Sequence, residues 1–154
     1  FQSALDQLIA MRQREGTALE QFIAQRMTAI SEQVAKVKAV LPDILTAQRE
    51  TLLSKLADLK LQVEPDRFEQ EMVMILNKAD VDEELDRLDA HLEEVSRILK
   101  QKGAVGRRLD FMMQELNREA NTLSSKSISH LTTQIAVELK VLIEQMREQV
   151  QNIE

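Results

Sequence analysis

The chain has 154 residues, enough for one domain on the usual scale of roughly 100–200 residues each, and 44% of them are hydrophobic, enough for a core. A net charge of −6 excludes a general electrostatic attraction to nucleic acid, and the lack of cysteine excludes disulfides and thiolate metal sites while leaving the redox compartment open. Three Gly, two Pro and 3% aromatic residues point to long helices rather than sheets, and no run of about 18 apolar residues marks a membrane span.

Residues 1–41 read as one long helix. Leu5, Ile9, Gly16, Leu19, Ile23, Ile30, Val34, Val37 and Leu41 follow the three-and-four spacing of a coiled-coil seam, interrupted by Arg12 and Arg26. A buried arginine in such a seam requires a carboxylate partner or an exposed end. Gly16 costs a helix interior about 1 kcal/mol against Ala, so it marks either a close helix crossing or a tolerated glycine. The pattern is already running at Phe1, with no initiating Met, so the chain reads as a fragment of a longer protein. A signal peptide on the parent is neither visible nor excluded.

Leu41-Pro42-Asp43 predicts a break, because the residue before proline is biased away from helix. A second helix is expected from Pro42 to about Leu61 through Ile44, Leu45, Leu52, Leu56 and Leu59, ending at Val63-Glu64-Pro65-Asp66. A third helical region starts near Asp66 with Phe68, Met72, Ile75, Leu76 and Ala79. Asn77–Asp80 either kinks or continues it. Val81, Leu85, Leu88, Leu92, Val95 and Leu99 then carry the stripe to about Lys102. Gly103-Ala104-Val105-Gly106 reads as a tight connection.

The next helix, from Gly106 to about Ser124, is the most distinctive stretch. Leu109, Met112, Met113, Leu116, Ala120 and Leu123 form one core-facing stripe. Arg107, Asp110, Gln114, Arg118 and Asn121 run along one polar line, and Arg108, Glu115 and Glu119 along another. Asp110, Asn117, Asn121 and Thr122 are poor helix formers, so something besides helix stability selects them. Ser124–Ser127 predicts a short break with Ser127 as N-cap. The final helix carries Ile128, Leu131, Ile135, Leu139, Leu142, Met146, Val150 and Ile153. About five helices with short connections predict an all-α fold, a hairpin or bundle of long antiparallel helices.

Two stretches have the residues for chemistry. In Asp80–His91, a run of carboxylates ends in a histidine, and Glu84, Arg87, Leu88 and His91 share a helix face. Glu84 and His91 either meet a metal or phosphate with Arg87 beside them, or belong to a solvated acidic face on which His91 caps or pairs with Glu94. In the Gly106 helix, Glu115 and Glu119 are one turn apart. Two such carboxylates either hold a hard divalent cation, Mg²⁺ or Mn²⁺, or pair locally with Arg108 and Arg118. Five cations, Arg97, Lys100, Lys102, Arg107 and Arg108, lie between Glu94 and Asp110 with no acid among them. Arg107, Arg108, Arg118 and Lys126 suit phosphates, and Asn117 and Asn121 suit sugars or bases. Phosphate loops, zinc helices, nucleophile elbows and dinucleotide fingerprints are absent from the sequence. Base-stacking aromatics are scarce, with only Phe1, Phe22, Phe68 and Phe111.

At these residues the chain resembles the C-terminal region of the YicC/YloC family of bacterial endoribonucleases. The segments that carry the resemblance are Met11–Gly16, Glu83–His91, Val105–Lys126 and Ile143–Glu154. The resemblance implies that residues 1–154 are the C-terminal helical domain of a larger protein whose N-terminal domain is absent from this chain. It further implies a cytoplasmic, metal-dependent endoribonuclease acting in RNA turnover, assembled as a homo-oligomer, a hexamer in the full-length family, alongside RNA-degrading exonucleases. Carried over by position, the family's polar motif residues are Glu83, Glu84, Arg87, His91, Arg107, Asp110, Gln114, Glu115, Asn117, Arg118, Glu119, Asn121 and Lys126. Their side-chain chemistry, with that of Arg108, assigns catalysis to His91, Asp110, Glu115 and Glu119. RNA binding falls to Arg87, Arg107, Arg108, Gln114, Asn117, Arg118, Asn121 and Lys126, and Mn or Mg to Glu115, Glu119, His91 and Glu84. The alternative is a helical oligomerisation or RNA-binding module with catalysis elsewhere in the parent. Imidazole titrates near neutral pH, so His91 also suits a general acid or base.

Overall fold

A computed structural model of the chain describes residues 2–58, 69–70, 72–74, 81–101 and 103–151, together with their side chains except those of residues 56 and 58. The fold is all-α. Its main elements are α1 (Gln2–Asp58), α2 (Asp82–Leu99), α3 (Gly106–Lys126) and α4 (His130–Gln151), with short helical pieces at 69–70 and 72–74. The expected break at Val63–Asp66, the kink at Asn77–Asp80 and the apolar positions Leu59, Phe68, Ile75, Leu76, Ala79 and Ile153 lie outside the described residues, as do Phe1, Lys102 and Asp80.

The helices form an up-and-down bundle. The predicted stripes of α2 and α3 and most of that of α4 close on one core with the middle of α1. Ile128 precedes α4 and is half-buried, and Leu131, also expected in the stripe, is exposed, because the first turn of α4 faces the core with Thr132 instead. α3 packs on α2 and α4, and α1 closes the far side by packing on the same two. Side-chain pairs fix the register. Glu84 meets Lys126 and Glu94 meets Arg108, so α2 and α3 are antiparallel. Asp110 faces Arg147, so α3 and α4 are antiparallel. Arg26 reaches Gln145, and Lys38 reaches Asp86 and Asp89, so α1 runs against both of its neighbours.

Pro42 does not break the chain as expected, because α1 runs straight through it. Proline inside a helix removes one hydrogen bond and crowds a carbonyl, at a cost of roughly 3 kcal/mol. Burial outweighs that cost: Val37 and Leu41 before the proline are buried, and Leu45 after it packs on the same core. Thr46 Oγ1 also donates to the Pro42 carbonyl at 2.9 Å.

The first third of α1 has a different environment. Ile23 is the first buried position, and residues 2–18 are exposed, among them Leu5, Leu8, Ile9 and Met11. At 1.5 Å per residue this stretch extends about 25 Å. A Cβ at Gly16 would meet nothing within 4 Å, so the close crossing considered for it does not occur among the described residues. Arg12 is exposed, while Arg26 lies 3.7 Å over the Phe22 ring and donates to Gln145, a carbonyl partner in place of the expected carboxylate.

The connections match their residues. Gly103, at φ +110°, turns the chain between α2 and α3 in a conformation side chains rarely adopt. At the α3–α4 junction, Ser129 rather than Ser127 caps the last helix, its Oγ accepting from the Thr132 amide at 3.1 Å. Ser127 is extended and its hydroxyl bonds Ser129 O, Thr132 and Thr133. The cap moved because the hydroxyl must stand three residues before its amide, and α4 starts at His130.

Candidate functional site

The polar residues of α2 and α3 meet along one seam. At one end, Glu84 Oε1 accepts from Lys126 Nζ at 2.9 Å and from Arg87 at 3.1 Å. Arg87 Nε pairs with Glu119 Oε2 at 2.9 Å, and its third nitrogen with Glu83 Oε1 at 2.6 Å. At the other end, Arg108 donates to Glu94 Oε1 at 3.3 Å and to the side chain of Gln101. The antiparallel register places His91 and Glu115 in the stretch between these two groups. The 3.6-residue period therefore stacks Glu84, Arg87, His91 and Glu94 on one shoulder of α2, opposite Arg108, Glu115, Glu119 and Lys126 on α3.

The seam is dry at its carboxylates and open at its cations. The Glu84 and Glu119 side chains are 4% and 7% exposed, whereas Arg87 and Lys126 are 37% and 32% exposed. Burial pushes the Glu84 carboxyl upward, yet the Lys126 hydrogen bond, a backbone amide and the charges of Lys126 and Arg87 together hold it below the ordinary carboxylate value. The hydrogen bond to Glu119 raises the Arg87 guanidinium further, against its own desolvation and with help from Glu119, Glu83 and Glu84. Two seam atoms, Glu84 Oε2 and His91 Nε2, are buried without a hydrogen-bond partner. Such atoms are uncommon in folded proteins and call for a partner. Glu115 forms no ion pair among the described residues.

The acidic run is largely accounted for by its own neighbours. Asp82, Glu83 and Glu84 stand in the first turn of α2, where the helix dipole favours them. Glu83 pairs with Arg87, and Asp86 and Asp89 share Lys38 at 2.7 and 3.0 Å. His91 makes no bond to Glu94, whose oxygens serve Arg97 and Arg108. The local pairing considered for Glu119 with Arg118 or Arg108 does not form, because Arg87 reaches it from α2.

Not every expected site residue joins the seam. Asp110 lies on the opposite shoulder of α3, where Gln114 donates to its Oδ2 at 2.8 Å and Arg147 of α4 stands 3.9 Å from its Oδ1. Helical spacing puts Asn117 and Asn121 on or near that same shoulder. Arg107, Gln114 and Arg118 face outward and are exposed. Arg147, Gln101 and Glu94 were not among the expected site residues. Nothing local signals Arg147 or Gln101, since their partners come from another helix or from across the turn.

The residues proposed for a divalent ion do not fit one as they stand. Among the described residues no group of three or more His, Asp or Glu side chains is placed to hold a metal. Glu84 and Glu119 each give an oxygen to a cationic side chain, and Glu84 and His91 are two turns apart.

Residues 37–154 match the family described as Endoribonuclease YicC-like, C-terminal. A protein of Haemophilus influenzae named probable endoribonuclease YicC is 55% identical over 154 residues, which is 100% of this chain and 54% of that protein. A protein of the same name from Clostridioides difficile is 33% identical over 156 residues, covering 99% of this chain and 53% of that protein. The chain thus spans about half the length of the curated relatives it matches.

Proposed function

Because this chain belongs to the YicC-like endoribonuclease family, we propose that it supplies the C-terminal half of an enzyme that cleaves RNA phosphodiester bonds, and that the α2–α3 seam is its share of the reaction site. The observation that carries this reading is the pair of buried unpartnered atoms, Glu84 Oε2 and His91 Nε2, in a seam where Glu119, Arg87, Arg108 and Lys126 are mated. His91 Nε2 takes or gives the proton at the scissile phosphodiester. Glu115, on the facing side of the seam and without an ion-pair partner among the described residues, orients the attacking group. Arg87, Lys126 and Arg108 flank them and oppose the negative charge that builds on phosphorus. Glu84 and Glu119 hold Arg87 in place. The enzyme works in the cytoplasm as a homo-oligomer of six, with RNA-degrading exonucleases consuming its fragments.

The test is cleavage of an end-labelled RNA by protein of the relatives' full length. A positioned acid–base group contributes about 10²–10⁴ in rate, so His91→Gln lowers cleavage by at least about a hundredfold with the helical signal and melting temperature kept. Undiminished cleavage in both His91→Gln and Glu115→Gln overturns the assignment. EDTA treatment followed by Mn²⁺ or Mg²⁺ titration in the same assay decides whether a cation takes part, and loss and restoration of cleavage establish that it does.

A second reading, a helical assembly module with catalysis elsewhere in the parent, is favoured by the bare apolar positions Leu5, Leu8 and Ile9 on α1. Sedimentation of an Ile9→Ser, Leu8→Ser variant tests the assembly role of α1, and an assembly of unchanged size overturns it. Cleavage then separates the two readings: undiminished cleavage in His91→Gln and Glu115→Gln supports the module, and its loss in either supports the enzyme.

A further inference from the structure

The first third of α1 carries an apolar stripe with nothing packed on it. Leu5, Leu8, Ile9 and Met11 are between 43% and 53% exposed. Leu5, Ile9, Arg12 and Gly16 keep the three-and-four register of Ile23, Ile30, Val34, Val37 and Leu41, so they lie on the line of α1 that faces the core farther along. The stripe does not change at Ile23; its neighbours do. Arg26 reaches Gln145, and the six further residues to Gln151 carry α4 only about 9 Å, to the level of about residue 20 of α1. Lys38 reaches Asp86 and Asp89, which puts the end of α2 at Leu99 near the level of about residue 27. Residues 2–18 project past the described ends of both helices, over about 25 Å.

Three observations bear on what covers this arm. The family match begins at residue 37, so the arm lies outside the C-terminal family model, yet the relatives align with this chain over 99–100% of its length, arm included. The chain accounts for only 53–54% of those relatives, and the family description puts residues 37–154 on the C-terminal side. Their further length therefore belongs on the N-terminal side, where the arm is. Within the stripe, Arg12 has no ion-pair partner among the described residues, and covering it requires a carboxylate. Gly16 leaves bare backbone on the same line, where a Cβ would meet nothing within 4 Å, so another element can cross closely there.

We propose that α1 is one rod shared by the two halves of the parent protein. From Ile23 to Leu45 it is closed by α2 and α4, and its first third is closed by the segment that the full-length relatives carry ahead of it. That segment presents apolar side chains to Leu5, Leu8 and Ile9, a carboxylate to Arg12 and a close crossing at Gly16. The α2–α3 seam is then held at a fixed position relative to the other half by a continuous helix instead of a flexible linker. A second copy of the chain is a poorer occupant. α4 already closes α1 beyond Ile23, which limits a pair of arms to residues 2–18. A strip about 25 Å long and about 10 Å wide gives each copy about 250 Å², against about 800 Å² per partner in a standard interface. A segment of the same chain needs no such area, because its attachment removes most of the entropy cost of association. This placement rests on the chain being the C-terminal half of a longer protein and not on cleavage, so it and the enzyme reading fail separately.

The test is thiol reactivity along the arm. The 154 residues contain no cysteine, so Leu5→Cys and Ile9→Cys report the stripe, and Gln7→Cys, two residues from each, reports the opposite side of the helix. In protein of the relatives' full length, with labelled sites mapped by peptide mass, Leu5→Cys and Ile9→Cys react with a maleimide at least about tenfold more slowly than Gln7→Cys, as positions inside a folded core do. The core from Ile23 to Val150 closes without the arm, so the 154-residue chain is the comparison, and in it the three sites react at similar rates. Equal rates in the full-length protein overturn the shared rod. Protection that is lost on dilution, or that is already present in the 154-residue chain, assigns the stripe to a second copy and overturns it as well. Hydrogen exchange of the unaltered proteins covers the case in which a cysteine variant folds poorly. Amides of residues 2–18 exchange more slowly in the full-length protein than in the 154-residue chain, and equal exchange overturns the proposal.

Discussion

The two exposed-edge faces of α3 are built from similar residues and do opposite things. On the shoulder toward α2, Arg108, Glu119 and Lys126 are mated across the helix interface, and their carboxylate partners are nearly dry. On the outward face, Arg107 and Arg118 have no ion-pair partner among the described residues, and Phe111 is exposed. The difference is one of position around the helix, less than half a turn. It teaches that an arginine on a helix becomes structural or available according to what the neighbouring helix presents at that height. α2 presents Glu84 and Glu94 to one shoulder, and solvent presents nothing to the other.

Four substitutions break or sharpen this contrast. The largest effect belongs to the stripe that separates the two faces: Leu116 is fully buried, and Leu116→Ala costs roughly 2–5 kcal/mol by chemical denaturation. A smaller loss would show that the stripe does not hold the two faces apart. Next comes the mated shoulder. Glu119→Gln weakens one end of the Arg87 fork in a dry site and costs about 1–3 kcal/mol in the same measurement. A cost near zero would mean that the seam is only a surface network.

The third prediction is a pH dependence. The Glu84 carboxyl is held below its ordinary value in the fold, so its contribution is complete above the unfolded carboxylate range, about pH 4.3, and disappears as pH falls through the lowered folded value. The stability difference between the wild type and Glu84→Gln is therefore largest near neutrality and shrinks below about pH 4.3. A difference that grows on acidification contradicts the ion-pair account. The smallest effect belongs to the outward face, where Arg118→Gln changes stability by less than about 0.5 kcal/mol, as exposed substitutions usually do. A larger loss would place Arg118 in a structural pair after all.

Much of this molecule is legible from residue spacing. The stripe of α3 corresponds to buried positions throughout and that of α2 up to Leu99, which is half-buried while its neighbour Ile98 is buried. The stripe of α4 holds at Ile135, Leu139, Met146 and Val150 but not at Leu131, which is exposed, or Leu142, which is half-buried, because Ala136 and Ile143 take the core-facing places. The Gly103–Gly106 connection was legible for a local reason, since the turn needs a positive φ. Pro42 was misread because its effect on the backbone is local, while the burial of Val37 and Leu41 that overrides it is not. Ser127 and Ser129 are both good caps by composition, and only the start of α4 selects between them.

The candidate site divides in the same way. The sequence determined that Glu84, Arg87 and His91 share one face of a helix and that Glu115 and Glu119 share one face of another, because helical periodicity is a property of the chain itself. It also fixed the family, through residues strung along the whole length. Only the tertiary structure decided that these two faces meet. It also decided that Arg87 rather than a neighbour on α3 takes Glu119, that Asp110 turns away toward Arg147, and that Phe111 stays uncovered. Those outcomes depend on which helices become neighbours and at what axial register, and burial of the apolar stripes sets both. The charged residues then pair with whatever that packing brings within reach.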